Sequence, residues 1–153
     1  MNIIIMKEWT TESSLKAIVT FNDRGYYCGY VIVDPFPSVV SPLSHDLDDE
    51  ELSPHLQRVQ DLIDDINVHG GITFANYLGH CGRHTEYAIG FDCAHCTDTP
   101  DSALVEEIFL SSERVVDLGL NSGEPVSIDY VIEQAESLAK QLADIKKLLL
   151  PII

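Results

Sequence analysis

Ile72-Thr73-Phe74-Ala75-Asn76-Tyr77-Leu78-Gly79-His80-Cys81-Gly82-Arg83-His84-Thr85-Glu86-Tyr87-Ala88-Ile89-Gly90-Phe91 sets two apolar runs around a cluster of turn formers. The runs Ile72 to Tyr77 and Thr85 to Phe91 are rich in β-branched and aromatic residues and predict strands, with Leu78 to His84 as their connection. An antiparallel hairpin follows. Facing residues of such a pair keep a constant index sum. A turn centred near Cys81 and Gly82 therefore sets Gly71 roughly opposite Asp92, and His69 beside Cys93 to His95. Two polar runs, His69-Gly70-Gly71-Ile72-Thr73 and Gly90-Phe91-Asp92-Cys93-Ala94-His95, are thus expected at the same end of the hairpin.

Upstream, Ile3 to Trp9, Lys16 to Phe21 and Tyr26 to Val33 read as three further strands, separated by Thr10 to Ser14 and by the turn Asn22-Asp23-Arg24-Gly25. Pro35 to Leu52, with three prolines and the acidic run Asp46 to Glu51, suits an exposed loop. Ser53-Pro54 signals a helix start, and Leu56, Val59, Gln60, Ile63 and Ile66 recur at helical spacing, so a short helix is expected to about Asp65. Ser127 is a candidate N-cap for a longer one. From there Ile128, Val131, Ile132, Ala135, Leu138, Ala139, Leu142, Ile145 and Leu149 form a continuous apolar stripe, which predicts a helix of about 20 residues covering the sheet. The expected architecture is α+β, an antiparallel sheet of about five strands packed against a long C-terminal helix in one domain over residues 1–153. The apolar tail Leu148 to Ile153, and the heptad-like repeat of the stripe, point to association into a homo-oligomer.

The chain has 25 acidic and 9 basic residues among 153, a net charge of -16. Such a surface repels phosphate backbones, so nucleic acid is not an expected partner. The apolar N-terminal run Ile3 to Met6 is too short for a signal peptide or a membrane span. A cytoplasmic protein with reduced thiols is the expectation, without a membrane partner.

Cys81-x-x-His84 and Cys93-x-x-Cys96 have the pair spacing of a zinc knuckle. The strand between them would hold the pairs roughly 26 Å apart at about 3.3 Å per residue, so one closed site is not expected. His69, Asp92, His95 and Asp98 offer a second donor set, of the kind that holds a hydrolytic metal. On an extended strand, however, Asp92 and His95 face opposite sides unless the chain turns after Phe91. No metal or other cofactor is called for. A binding role asks less of the same residues. Gly70 and Gly71 allow close backbone approach, His69, Thr73 and His95 supply polar atoms, Asp92 and Asp98 can hold hydroxyls or amino groups, and Arg83 can grip a phosphate. Polar side chains beside a double glycine read as serving activity more than folding.

These strings also carry a resemblance. The chain resembles a family of small bacteriophage proteins that read GYV near the N-terminus, HGG-[IL]-T in the middle, a tryptophan-rich strand ending GFDCAH, and a C-terminal helix with YVxxE and LAxQL. The matching pieces are Gly29-Tyr30-Val31, His69 to Thr73, Gly90 to His95, Asp98, Tyr130-Val131-Ile132-Glu133 and Leu138-Ala139-Lys140-Gln141-Leu142. The tryptophans are replaced by Tyr87-Ala88-Ile89, and Cys96 stands where the family has glycine. The resemblance implies a phage protein acting in the host cytoplasm. Three roles are then expected in competition: capture of a nucleotide-derived immune signal at the hairpin, metal-dependent hydrolysis of such a signal, and acidic decoy binding to a host defence protein.

Overall fold

A computed structural model of the chain describes residues 2–33, 54–95, 97–110 and 123–149. Five antiparallel strands form one sheet: β1 (Ile3–Thr10), β2 (Lys16–Asn22), β3 (Tyr27–Ile32), β4 (Phe74–Leu78) and β5 (Arg83–Asp92), in the spatial order β1-β2-β3-β5-β4. Among the described residues three α-helices accompany them: α1 (Pro54–Asp64), α2 (Ser102–Phe109) and α3 (Ile128–Leu149). The α+β reading and its long covering helix are thus present. Residues 34–53, including the acidic run, and 150–153 lie outside the described residues.

Alternation along the strands divides the sheet into two apolar faces. On one, Ala17, Val19, Phe21, Val31, Ile89 and Phe91 are buried against the α3 stripe of Val131, Ala135, Leu138, Ala139, Leu142 and Ile145. Helix α2 adds Val105 and Phe109 to the same layer, Phe109 stacking on Phe21 at 6.3 Å. Its N-cap is Asp101, whose carboxylate accepts from the Leu104 amide.

The opposite face buries Ile18, Tyr30, Leu78 and Ala88. The tip of the β4–β5 hairpin closes it. The register between these strands shifts between Tyr77 and Leu78, and such a bulge bends a strand pair. The tip then reaches back over the sheet: Tyr30 Oη and His80 Nε2 lie 3.0 Å apart, and Arg83 pairs with Glu8 of β1 and with Glu86.

β3 and β5 are joined by reciprocal aromatic-on-glycine contacts. Gly29 faces Phe91 and Tyr30 faces Gly90. A Cβ at residue 29 would stand 2.4 Å from the Phe91 ring, and one at residue 90 would stand 2.6 Å from that of Tyr30. Each ring thus fills the space its facing glycine leaves, one on each side of the sheet.

Candidate functional site

The two polar runs meet at the end of the sheet where β5 terminates. Phe74 pairs with Gly90, and the Thr73 amide donates to the Gly90 carbonyl at 3.0 Å, extending the ladder one residue before β4. Ahead of it the chain reverses through Val68, His69, Gly70 and Gly71, closed by the Gly71 amide on the Val68 carbonyl at 2.8 Å. Gly70 occupies the third position of this turn at φ 68°, and Gly71 follows at φ 81°. Left-handed backbone at both positions favours glycine.

After Asp92 the chain turns, as an approach of Asp92 to His95 requires. The Asp92 carboxylate accepts from the Ala94 amide at 3.0 Å, and that of Asp98 accepts from the His95 amide at 2.9 Å. His95 is thereby brought back over Gly70. A Cβ at residue 70 would stand 1.9 Å from His95 Nε2, so the room beside this glycine is filled by the protein's own imidazole. Beside Gly71 the corresponding position meets nothing within 4 Å. Close backbone approach to a ligand is therefore open at Gly71 and not at Gly70.

His69 is the hub of the arrangement. Its Nε2 faces both Asp98 carboxylate oxygens, at 2.9 and 3.1 Å, and its Nδ1 lies 2.8 Å from the Tyr130 hydroxyl. Its amide donates to Gln134 at 2.9 Å. A carboxylate only accepts, so Nε2 donates to Asp98, and with a single proton on the ring Nδ1 accepts from Tyr130. Asp98 keeps only 7% of its side-chain surface exposed and His69 19%. Both ring nitrogens are engaged, which makes His69 a tie between the turn, the segment after β5 and the first turns of α3.

His95 differs. Its ring lies 5.9 Å from that of His69, and its Nε2 is enclosed with no hydrogen-bond partner. The nearest carboxylate atom, Asp92 Oδ1, is 3.5 Å away, beyond a normal hydrogen bond. About a third of each of these two side chains is exposed.

A Tyr–His–Asp chain has the order of a nucleophile, a base and its orienting acid. Burial, reinforced by Cys93 and Asp98, pushes the Tyr130 phenol above its ordinary range, which opposes phenolate formation. Burial also pushes the Cys93 thiol up to about 12, so Cys93 is a core thiol and not an activated nucleophile. Among the described residues, no group of three or more His, Cys, Asp or Glu side chains has the geometry to hold a metal ion. The arrangement offers oriented hydrogen-bonding groups beside the open flank of Gly71.

The structure gathers His69, Gly70, Gly71, Asp92, His95 and Asp98. Thr73 lies adjacent, as part of the ladder. Arg83 is not with them. It begins the ten-residue strand β5, which Asp92 ends nine positions later, and its guanidinium is committed to Glu8 and Glu86. Cys81 and His84 share that far end, apart from Cys93, while Cys96 lies outside the described residues. Sequence reasoning did not place Tyr130 or Gln134 in the site. The signal for both lay in the helix, where Tyr130 and Gln134, four residues apart, share one face.

No protein-family model, curated protein or solved structure matches the chain. No helix among the described residues is long and apolar enough to cross a membrane.

Proposed function

We propose that the chain captures a nucleotide-derived small molecule at the end of the sheet, over Gly71 and between Asp92 and His95, without cleaving it. In the setting implied by the phage resemblance, such a ligand is an immune signal of the host, and its capture in the cytoplasm serves as anti-defence.

The observation that carries this reading is His95 Nε2, an enclosed ring nitrogen without a hydrogen-bond partner beside an open glycine. A buried polar atom left unpaired costs about 1–3 kcal/mol, which favours a turn of this one-third-exposed ring that brings Nε2 out to a ligand group. Around it the framework is already satisfied: Asp98, His69 and Tyr130 hold one another, so the site is rigid before a ligand arrives. Asp92, half-buried at the rim, is an acceptor for ribose hydroxyls or a purine amino group. The raised pKa values of Tyr130 and Cys93 support binding over covalent attack.

The test is to mix the purified protein with cyclic di- and trinucleotides and adenosine-derived signals, read binding by native mass spectrometry, and then denature the protein by heat. Capture predicts a stoichiometric complex and return of the nucleotide chemically unchanged. A cleaved product whose formation stops on adding a chelator would favour the hydrolase. Absence of saturable binding across the panel would end the capture reading.

A further inference from the structure

A groove of about 470 Å³ lies between the β1–β2 turn and the C-terminal half of α3, lined by Glu12, Ser13, Ser14, Lys140, Ala143, Asp144 and Lys147. Its walls are held in place. Glu136 of α3 accepts from the Trp9 indole at 2.8 Å and from the Glu12 amide at 3.1 Å, tying the turn to the helix. Thr11 braces the turn through its hydroxyl, which donates to the Leu15 carbonyl and accepts from the Leu15 amide, and this holds Ser14 at φ 67°. A non-glycine residue in left-handed backbone is uncommon, and such positions concentrate at functional sites.

The lining is chemically unlike the rest of the chain. Two of the nine basic residues stand here in a protein of net charge -16. Among the described residues, the Lys140 ammonium and the Ser13 and Ser14 hydroxyls make no hydrogen bond or ion pair. Lys147 approaches Asp144 only at 3.9 Å, with 77% of its side chain exposed. The groove therefore combines cationic donors for an oxyanion, two free hydroxyls, and the Glu12 and Asp144 carboxylates, which suit the hydroxyls of a sugar. Its volume falls in the range of small-molecule sites, about 300–1,000 Å³.

We propose that this groove binds a small phosphorylated sugar, a sugar phosphate or the ribose phosphate part of a mononucleotide. Phosphate lies toward Lys140 and Lys147, and the sugar hydroxyls toward Glu12 and Asp144. The site is separate from the hairpin end: Lys140 follows Tyr130 by ten residues of helix, roughly 15 Å along its axis.

Ribose 5-phosphate titrated into the labelled protein tests the proposal, followed through the amide resonances of Ser13, Ser14, Lys140 and Asp144. Saturable shifts are expected, weakened at least tenfold in the double variant K140Q/K147Q and unchanged in His95→Ala. The two lysines are exposed, and the variant's spectrum away from the groove verifies its fold. Shifts that do not saturate, or equal binding by K140Q/K147Q, would overturn the site. Equal affinity for inorganic phosphate alone would overturn the sugar as part of the ligand. Loss of these shifts in His95→Ala would overturn the independence of the groove from the hairpin end.

Discussion

His95 Nε2 occupies the space that a side chain at residue 70 would need, 1.9 Å from the position of its Cβ. The HGG and GFDCAH strings are therefore halves of one steric arrangement. Gly70→Ala is expected to destabilise the protein by at least about 2 kcal/mol, since left-handed backbone alone costs a non-glycine residue about 1–2 kcal/mol. In a His95→Ala background the same substitution loses its clash and keeps only the backbone cost. Urea denaturation of the four proteins of this cycle measures the coupling. Additive effects would show that His95 does not press on Gly70.

His69 and His95 are expected to separate into a structural and a binding role. His69→Ala takes one partner from a nearly buried carboxylate and one from a phenol, and should cost roughly 2–3 kcal/mol of stability. His95→Ala removes a ring nitrogen that makes no hydrogen bond, with its Asp92 contact at 3.5 Å, and should cost less than about 1 kcal/mol. The same His95 change should weaken nucleotide binding at least tenfold, about 1.4 kcal/mol. Melting curves and titrations on both variants check this. For His69 it replaces the expectation, natural from sequence, that a polar residue beside two glycines serves activity more than folding.

The Arg83–Glu8 clasp gives a defined acid dependence. Hydrogen bonds from Arg83, then from Lys16, hold the Glu8 carboxyl at about 2, below its ordinary 4.5. A depressed folded-state value means stability that is present above about pH 4.5 and is lost as pH falls toward 2. Arg83→Gln should remove most of the acid-sensitive increment in that window while changing little of the slope above pH 5. Parallel slopes for the two proteins between pH 4.5 and 2 would show that the clasp contributes nothing.

Burial pushes the Cys28 thiol up to about 11 and that of Cys93 up to about 12. Both should stay protonated at pH 8 and react with iodoacetamide far more slowly in the native protein than in guanidinium. Peptide mapping after timed alkylation resolves each cysteine. Rapid native labelling of Cys93 would return it to consideration as a nucleophile.

Much of the scaffold was legible because strand period and turn chemistry act locally. Lys16 to Phe21 and Tyr26 to Val33 carry their own alternation, and the α3 stripe announces itself at three- and four-residue spacing. The end of the sheet was also accessible, because index arithmetic in a hairpin carries Gly71 to within a residue of facing Asp92. Helix α2 is short, and its signal is correspondingly small: a cap at Asp101 and one apolar face of Leu104, Val105 and Ile108. What could not be read were pairings between distant segments. Nothing in Arg83 names Glu8 as its partner, and nothing near His69 points to a tyrosine 61 positions later. Those depend on the order of strands in the sheet and on where the covering helix begins.

The tie between Trp9 and Glu136 spans 127 positions of the chain. The described strands of the sheet end in sequence at Asp92, but the helix that covers its apolar face ends at Leu149. At a synthesis rate of about 5–20 residues per second, the ribosome needs roughly 3–11 s to supply the intervening residues. Through that interval a row of apolar side chains waits uncovered on the nascent chain. A nascent chain of this fold thus carries an uncovered apolar face, the kind of surface that makes folding intermediates prone to aggregate, until α3 is made.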